Sequence, residues 1–244
     1  MEFTNSIKKY LRSLHQSKNR QKYDKFIAEG PKVCKEFLMC KAYDIEYILG
    51  LSSWIESNSE ILVGYEDRLL AIKSKELQQI SLLKTPNQVV VVVSKTLTKP
   101  PKSVGWSLYL DRIQDPGNMG TMIRIADWYG MSTIFASPEC VDFYNPKVVQ
   151  GAMGSHNRVK LLESNQEAIL ALNQPIYGLV LGGQDIRKIK PAGSGIIAIG
   201  NESKGLSSVL IENLDYKCTI QRLGGAESLN AAIACGIACQ TLIS

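Results

Sequence analysis

Short blocks of hydrophobic positions, separated by polar turns, predict an alternation of strands and helices in the first hundred residues. Residues 6–14 and 32–39 have the apolar spacing of amphipathic helices, and residues 88–94 form a β-branched run typical of a buried strand. A further helix is predicted at residues 75–83. The other predicted strands are residues 43–49, 61–64 and 69–72. This pattern indicates a small α/β unit.

A second alternation of strands and helices begins near residue 104. Its predicted strands are residues 106–110, 133–136, 158–162, 176–181, 195–199 and 217–220. Its predicted helices are residues 119–129, 146–153, 166–172 and 227–243. Such regular alternation favours a parallel sheet with helices on both faces. Residues 95–105, which contain Pro100 and Pro101, are the predicted linker between domains at residues 1–94 and 106–244.

The composition excludes several classes of protein. With 45% hydrophobic and 21% charged residues, the chain is too apolar to be disordered, and its longest apolar runs of five residues are too short to cross a bilayer. The first ten residues lack the apolar stretch of a signal peptide, so we expect a cytoplasmic protein with no membrane partner. Cys235 and Cys239 lie four residues apart in an apolar helix, where we expect buried reduced thiols rather than a metal site.

Charge is distributed unevenly along the chain, whose formal net charge is +5. Residues 1–41 contain ten Lys or Arg and four Asp or Glu, whereas residues 42–244 contain 18 and 19. A basic terminal segment attached to a near-neutral body indicates a polyanionic partner such as nucleic acid, although a solvated helix face would have the same composition.

Polar side chains and glycines follow three of the predicted strands in the second part. The first such segment, residues 110–126, contains an Asp-Pro-Gly turn followed by Asn118, a suitable N-cap for the next helix. Arg124 then lies between two isoleucines of that helix. Taken alone, the segment has a plain structural interpretation, in which Asn118 is only a cap and Arg124 extends its side chain to solvent.

The other two segments lie at residues 196–206 and 220–232. In the first, an apolar strand runs into Gly-Asn-Glu-Ser-Lys-Gly, which puts Glu202 at the carboxyl edge of the sheet, where α/β folds bind ligands. The second leads into an uncharged terminal helix for which either Ser228 or Asn230 is the expected cap. A helix that is apolar all round must be buried in a core or in a subunit interface.

Together, the order and content of these segments resemble the signature motifs of the SpoU (TrmH) family of RNA ribose 2′-O-methyltransferases in the SPOUT superfamily. The matching patterns are D-P-G-N-x-G-x-x-x-R, I-G-N-E-x-x-G-L and E-S-L-N-A-A-x-A-x-G-I-A, and they cover roughly residues 106–244. Residues 19–30 are similar to the opening of the ribosomal-protein-L30e-like substrate-binding domain of many members. The resemblance implies an L30e-like α/β domain, then a SPOUT α/β domain with a parallel sheet and a deep C-terminal trefoil knot, and a homodimer formed through the C-terminal domain.

The resemblance also implies S-adenosylmethionine as the cofactor, S-adenosylhomocysteine as the product, and no metal. The residues expected at the cofactor are Leu181, Gly183, Gly200, Ile220 and Leu229. The residues expected in catalysis are Asn118, Arg124, Glu202, Ser228 and Asn230. Of these, Asn118 and Glu202 are expected to order the site and the RNA backbone, and Ser228 and Asn230 to hold the catalytic loop and the ribose. Arg124 matches the family's proposed base, but a free Arg has a pKa above about 12, so we assign it to activating and positioning the ribose hydroxyl and leave the proton acceptor open.

The sequence departs from the family pattern in two places. Gln221-Arg222 stands where many members have Pro-Met, and Ala231-Ala232 replaces a commoner Val-Ser. Because the catalytic positions are kept, we expect an active enzyme with altered loop stiffness. His156 falls near a position where the family often has His, and we interpret it as structural.

The resemblance makes ribosomal RNA the preferred substrate, because the N-terminal part resembles an RNA-binding domain and carries the basic excess. The candidate RNA contacts are Lys18, Arg20 and Lys22, while His15 either touches RNA or is solvated. The alternatives are a tRNA 2′-O-methyltransferase and a non-catalytic RNA-binding or assembly factor of the same fold. A dehydrogenase is disfavoured, since no G-x-G-x-x-G follows a predicted strand.

Overall fold

A computed structural model describes residues 2–41, 43–95 and 105–244. The chain forms two compact units: Met1–Leu97 together with Asp142–Asn157, and Thr98–Val141 together with Arg158–Ser244. We call them unit 1 and unit 2. The predicted linker, residues 95–105, lies outside the described residues except for its two ends.

Unit 1 is built on a four-stranded mixed sheet. Its strands are β1 (Lys25–Glu29), β2 (Ile45–Gly50), β3 (Leu69–Ala71) and β4 (Val89–Ser94). They lie in the order β1-β4-β2-β3, with β4 antiparallel to both neighbours and β2 parallel to β3. Its helices are α1 (Asn5–Ser13), α2 (Ser17–Tyr23), α3 (Pro31–Cys40), α4 (Ser52–Glu56), α5 (Ser59–Leu62), α6 (Ser74–Ile80) and α8 (Pro146–Ala152).

The five consecutive valines of β4 explain why this strand lies inside the sheet. Val89, Val91 and Val93 enter one hydrophobic core, and Val90 and Val92 enter the core on the opposite face. This confirms the buried strand predicted there. The strand predicted at residues 61–64 is wrong, because this short apolar run ends helix α5 and turns at Gly64, which has a φ of +88°.

Residues 142–157 belong to unit 1, although the sequence prediction included them in the second domain. Val149 of α8 is buried in the same core as Phe26 and Phe37. The Asn157 side chain donates a hydrogen bond to the Glu36 carbonyl at 2.8 Å. Packing and hydrogen bonding to residues far away in the sequence therefore decide where this segment lies.

Unit 2 contains a six-stranded sheet in which every paired strand is parallel. Its strands are β5 (Trp106–Asp111), β6 (Thr133–Ala136), β7 (Lys160–Glu163), β8 (Ile176–Asp185), β9 (Gly195–Gly200) and β10 (Tyr216–Thr219). Their order is β10-β8-β9-β5-β6-β7. The helices of this unit are α7 (Pro116–Trp128), α9 (Gln166–Leu170), α10 (Ser208–Glu212) and α11 (Ala231–Ile243). The predicted α/β class with a parallel sheet is confirmed.

Helices α7 and α11 run side by side in the same direction. Their N-termini meet where Asn230 bonds Asn118, and further along the pair Ile125 approaches Gly236 and the Tyr129 hydroxyl donates to the Gln240 side chain at 2.8 Å. One face of α11 is buried, with Cys235 and Cys239 inaccessible to solvent. All six cysteines are free. In the part of the chain that the structure describes, no helix has the length and apolarity needed to span a membrane.

Candidate active site

The three motif segments meet at the carboxyl edge of the unit 2 sheet, and Asn118 joins them. Strands β5 and β9 end side by side, with Asp111 paired to Gly200. Asn118, in the first turn of α7, donates from Nδ2 to Glu202 Oε1 at 2.5 Å. Its Oδ1 accepts a hydrogen bond from Asn230 Nδ2 at 2.9 Å. We call Asn118, Glu202 and Asn230 the asparagine bridge. Along the chain, Asn118 lies 84 positions from Glu202 and 112 positions from Asn230.

Helix capping leaves the Asn118 side chain available for this bridge. The N-cap of α7 is Asp115, whose carboxylate accepts from the Asn118 backbone N–H at 2.7 Å, with Pro116 in the first helical position. The cap predicted at Asn118 is therefore wrong. Asn230 caps α11, accepting from the N–H groups of Ala232 and Ile233 at 3.0 and 3.2 Å. Because the chain before this cap is not helical, α11 begins at residue 231 rather than at the predicted 227.

The loop that carries Glu202 is a tight turn that requires Gly200 for lack of space and favours Gly205 for its backbone conformation. A Cβ on Gly200 would lie 2.3 Å from the carbonyl carbon of Gly205 and 2.4 Å from the nitrogen of Leu206. The backbones of Asn201 and Gly205 form an antiparallel bridge, and Gly205 has a φ of +65°. Any side chain at position 200 would thus open the turn.

An acidic and a basic residue at the end of β5 hold the loop of Glu202 in place. Asp111 is fully buried, and its Oδ2 accepts from the Ser207 N–H at 2.6 Å. Arg112 pairs with Asp111 at 3.3 Å and donates to the Gly205 carbonyl at 3.1 Å, while its own carbonyl accepts from the Asn201 side chain at 3.0 Å. Arg112 has a φ of +60°, in the left-handed region. The sequence patterns do not single out Asp111 and Arg112. The one feature that could have pointed to them is an Asp at the end of an apolar strand.

A cavity of about 640 Å³ opens beside the loop of Glu202. It is lined by residues 179–181 of β8, residues 200–206, and the segment that follows β10. Four of the residues expected at the cofactor line it: Leu181, Gly200, Ile220 and Leu229. The walls also include Glu202 and Ser228.

Gly183, the fifth residue expected at the cofactor, does not line this cavity. Its N–H donates to the Thr219 hydroxyl at 2.6 Å, and a Cβ there would lie 2.3 Å from the Lys217 carbonyl oxygen. Gly183 is therefore needed for the close approach of β8 to β10, and its expected contact with the cofactor stays a prediction.

Arg124 and Ser228 lie apart from the asparagine bridge. Arg124 is exposed on α7 and, among the residues that the structure describes, makes no hydrogen bond or ion pair through its side chain. Ser228 is exposed in the loop between β10 and α11. Both side chains are thus available to a bound molecule.

Of the three basic residues expected to contact RNA, Arg20 is buried in unit 1. Only 1% of it is exposed, and its guanidinium donates to the carbonyls of Leu14 and His15 and to Asp142 at 2.8–2.9 Å. The RNA contact expected for Arg20 is therefore wrong, because an acidic residue 122 positions away takes its charge. Lys18 and Lys22 are exposed on α2.

Both histidines hold structural positions in unit 1. His156 is buried, bonds the Phe143 carbonyl at 2.9 Å, and stacks near Phe26; burial lowers its pKa to about 4. His15 bonds the Ile80 carbonyl at 3.0 Å, and partial burial lowers its pKa. Within residues 2–41, 43–95 and 105–244, no group of three His, Cys, Asp or Glu side chains has the arrangement of a metal site.

Two family models match this chain. Residues 105–240 match the SpoU rRNA Methylase family, and residues 5–91 match the MRM3-like substrate binding domain. A curated relative, the 23S rRNA (guanosine(2553)-2′-O)-methyltransferase RlmP of Bacillus subtilis, is 29% identical over 93% of this chain and 91% of its own length.

Solved structures resemble the whole chain. A TrmH-family RNA methyltransferase from Porphyromonas gingivalis has 29% identity and a TM-score of 0.87, covering 98% of this chain and 97% of its own. An rRNA methyltransferase from Sinorhizobium meliloti, solved with AdoMet bound, has 28% identity and the same TM-score, covering 98% and 95%.

Proposed function

The chain belongs to the SpoU rRNA methylase family, and from this we propose that it transfers a methyl group from S-adenosylmethionine to a ribose 2′-hydroxyl of ribosomal RNA. The observation that carries the proposal is the asparagine bridge, which joins one polar residue from each of the three motifs at one sheet edge beside a cavity. The relative from Bacillus subtilis, whose name specifies 2′-O-methylation of 23S rRNA, supports both the reaction and the choice of ribosomal RNA.

The cavity fits the proposed cofactor in size and lining. Its volume of about 640 Å³ lies in the range of small-molecule sites. Leu181, Ile220 and Leu229 would hold the cofactor by apolar contact, and the tight turn that Gly200 allows would place the loop of Glu202 beside it. When bound, S-adenosylmethionine supplies an electrophilic methyl group on sulfur, and S-adenosylhomocysteine is the product. No metal is needed for this chemistry.

The residues around the cavity would prepare the ribose hydroxyl for attack. A hydroxyl is a weak nucleophile at neutral pH and must lose its proton as it reacts. The exposed, unpaired Arg124 guanidinium would hold the hydroxyl and the neighbouring phosphate, since its charge and fork of donors suit both. Asn118 and Glu202 would keep the loops in register, and Ser228 and Asn230 would hold the ribose and the loop before α11.

A test of the reaction compares ribose methylation of total RNA from a wild-type strain and a deletion strain. We expect one methylated ribose to disappear from ribosomal RNA, and purified enzyme to restore it with S-adenosylmethionine. Loss from tRNA would instead support the tRNA alternative. Calorimetry with S-adenosylmethionine separates both from a non-catalytic factor, which would bind none.

The roles assigned to individual residues need variants. Asn118→Ala and Arg124→Ala are each expected to reduce turnover at least a hundredfold while the fold is kept. Unchanged turnover in both would contradict the mechanism. Lys147→Ala, which removes an exposed cation on α8 of unit 1, is the control for the loss of positive charge in Arg124→Ala.

We further propose that unit 1 is the L30e-like RNA-binding domain and that the C-terminal segment of unit 2 is threaded as a trefoil knot. The pairing of β8 with β10 supports the knot: residues 177 and 178 pair before residues 179–183 leave the ladder, and pairing resumes at residue 184. After the edge strand β10, the chain returns so that α11 packs on α7 and β9. Stretching single molecules by their termini tests the knot. The end-to-end length of a fully stretched knotted chain is shorter than the contour length expected for its number of residues.

A homodimer formed through α7 and α11 accounts for their exposed apolar side chains. Trp128 is 85% exposed and Ile233 57% exposed in the single chain, and Ile237 lies one turn further on α11. Light scattering should find a dimer that Trp128→Glu converts to monomer. Val63→Glu, which charges an exposed apolar position of unit 1, should stay dimeric. A monomeric wild-type protein would contradict the dimer.

A further inference from the structure

Three tyrosines form an open notch on unit 1 that the proposed reaction does not use. Tyr10 of α1, Tyr23 at the end of α2, and Tyr47 of β2 line it together with Lys25 and Glu46. We call it the tyrosine notch; its volume is about 370 Å³. All five residues lie in the segment that matches a substrate-binding domain.

The tyrosine rings are held in place by one another and by Glu46. The Tyr10 ring packs edge-to-face against Tyr23 at 5.3 Å and against Tyr47 at 6.3 Å between centroids. The Tyr10 hydroxyl donates to Glu46 Oε2 at 2.7 Å, and burial raises the pKa of Tyr10, so this phenol stays neutral. Tyr23 is 40% exposed, and the ammonium over its ring belongs to the flexible Lys22 side chain, which a planar ligand would displace.

The charges around the notch suit a nucleotide. The Lys22 ammonium lies 5.2 Å from the Tyr23 ring centre, and Lys18 is exposed one turn earlier on α2. Lys25 lies 3.8 Å from Glu46 and balances its charge. The notch therefore offers aromatic rings, a carboxylate acceptor for N–H groups, and a basic rim for a phosphate. The same basic rim would repel a quaternary ammonium ligand.

We propose that the tyrosine notch binds one unpaired nucleobase of the RNA substrate, stacked on Tyr23, with its phosphate on Lys22 and an N–H of the base donated to Glu46. This rests on the proposed function, because it assumes an RNA substrate. It adds that the recognised RNA has a single-stranded nucleotide away from the methylated ribose. It also gives Lys22, one of the basic residues of the segment 1–41, a contact with RNA.

The test is a pair of variants at the exposed ring, Tyr23→Leu and Tyr23→Phe, in the full-length protein. Loss of stacking on one base is expected to raise the KM for ribosomal RNA by about 5- to 100-fold in Tyr23→Leu. Tyr23→Phe keeps the aromatic face and should stay within about twofold of wild type. The kcat at saturating RNA and the affinity for S-adenosylmethionine should not change in either.

A direct binding measurement separates base stacking from charge. Fluorescence anisotropy would compare a ten-nucleotide single-stranded RNA with an abasic oligomer of the same length. Wild-type protein should bind the RNA more tightly than the abasic oligomer, and Tyr23→Leu should lose this preference. Lys22→Ala should weaken the binding of both oligomers and reduce the salt dependence of binding. If Tyr23→Leu folds by circular dichroism and keeps both the KM and the preference, the notch proposal is wrong.

Failure of the proposed function has a different signature. If the wild-type protein neither binds S-adenosylmethionine nor methylates RNA, the reaction is wrong, whatever the notch does. If it methylates RNA and Tyr23→Leu is unaffected, the reaction stands and the notch proposal falls. A protein ligand for the notch would give this second result, since RNA binding would then not depend on Tyr23.

Discussion

Replacing Asn118 by Asp tests whether the asparagine bridge works by orienting loops. The change is isosteric, but it removes the Nδ2 donor that bonds Glu202 and puts a second carboxylate beside the first. Asn230 still finds an acceptor at position 118, because its Nδ2 is the donor of that bond. The perturbation is therefore confined to one side of the bridge.

The expected cost follows from the geometry. The present donor–acceptor distance is 2.5 Å, and two carboxylates would separate to about 4 Å, where like charges repel by about 1 kcal/mol in bulk water and about 4 kcal/mol near a protein surface. Because Glu202 is exposed and Asn118 half-buried, the cost lies between these values. That corresponds to a fall in kcat/KM of between about fivefold and several hundredfold.

The assay is methyl transfer to ribosomal RNA with Asn118→Asp, Glu202→Gln and the double variant. In the double variant the introduced amide at position 202 donates to the carboxylate at position 118, which restores the bridge with its polarity reversed. Its kcat/KM should recover most of the loss seen in Asn118→Asp.

The double variant also decides whether Glu202 only orients the loop. If the double variant is as inactive as Asn118→Asp while its melting temperature matches wild type, the bridge is intact but insufficient. Glu202 would then act on the substrate through its own charge, and the orienting role assigned to it would be wrong.

Three further predictions concern the loop of Glu202 and the stability of unit 1. Gly200→Ala should abolish S-adenosylmethionine binding in calorimetry, because the added methyl collides with Gly205; unchanged affinity would contradict the tight turn. Arg112→Gly and Arg112→Ala should both weaken cofactor binding several-fold. Urea unfolding should find Arg112→Gly about 1 kcal/mol more stable than Arg112→Ala, because glycine adopts the positive φ of this position without strain. Burial lowers the pKa of His156 from 6.5 to about 4. Between these pH values the His156 side chain is therefore protonated in the unfolded chain and neutral in the folded protein. The free energy of unfolding should therefore drop by about 3 kcal/mol between pH 6.5 and pH 4, and His156→Phe should flatten this slope; an equal slope in both proteins would assign it elsewhere.

Much of the fold was predictable because its signals are local. The valines of β4 and the apolar runs of β5, β6 and β9 are read from neighbouring residues, and each is bounded by turn residues. The strand predicted at residues 61–64 failed for the same reason, since a run of three apolar residues is compatible with the end of a helix. Short apolar runs carry too little periodicity to decide.

The burial of polar side chains and the identity of their hydrogen-bond partners were less predictable. Arg20 has the sequence environment of a surface cation, yet Asp142 and two carbonyls enclose it. Asn118 looks like a helix cap, yet Asp115 takes that role. Gly183 looks like part of a cofactor loop, yet it serves the contact between two strands. Each depends on a partner that local pattern does not reveal.

The amino-acid sequence was enough to predict the parallel sheet of unit 2, the polar and glycine-rich segments at its strand ends, and the family to which they point. These follow from residue spacing and turn chemistry, which act over a few positions. Three features became visible only in the folded chain: Asn118 joins Glu202 to Asn230, Asp111 and Arg112 hold the loop of Gly200, and the tyrosines of unit 1 form a notch. Hydrogen bonds, burial and cavities are set by contacts between residues far apart in the chain, and these exist only once the chain has folded.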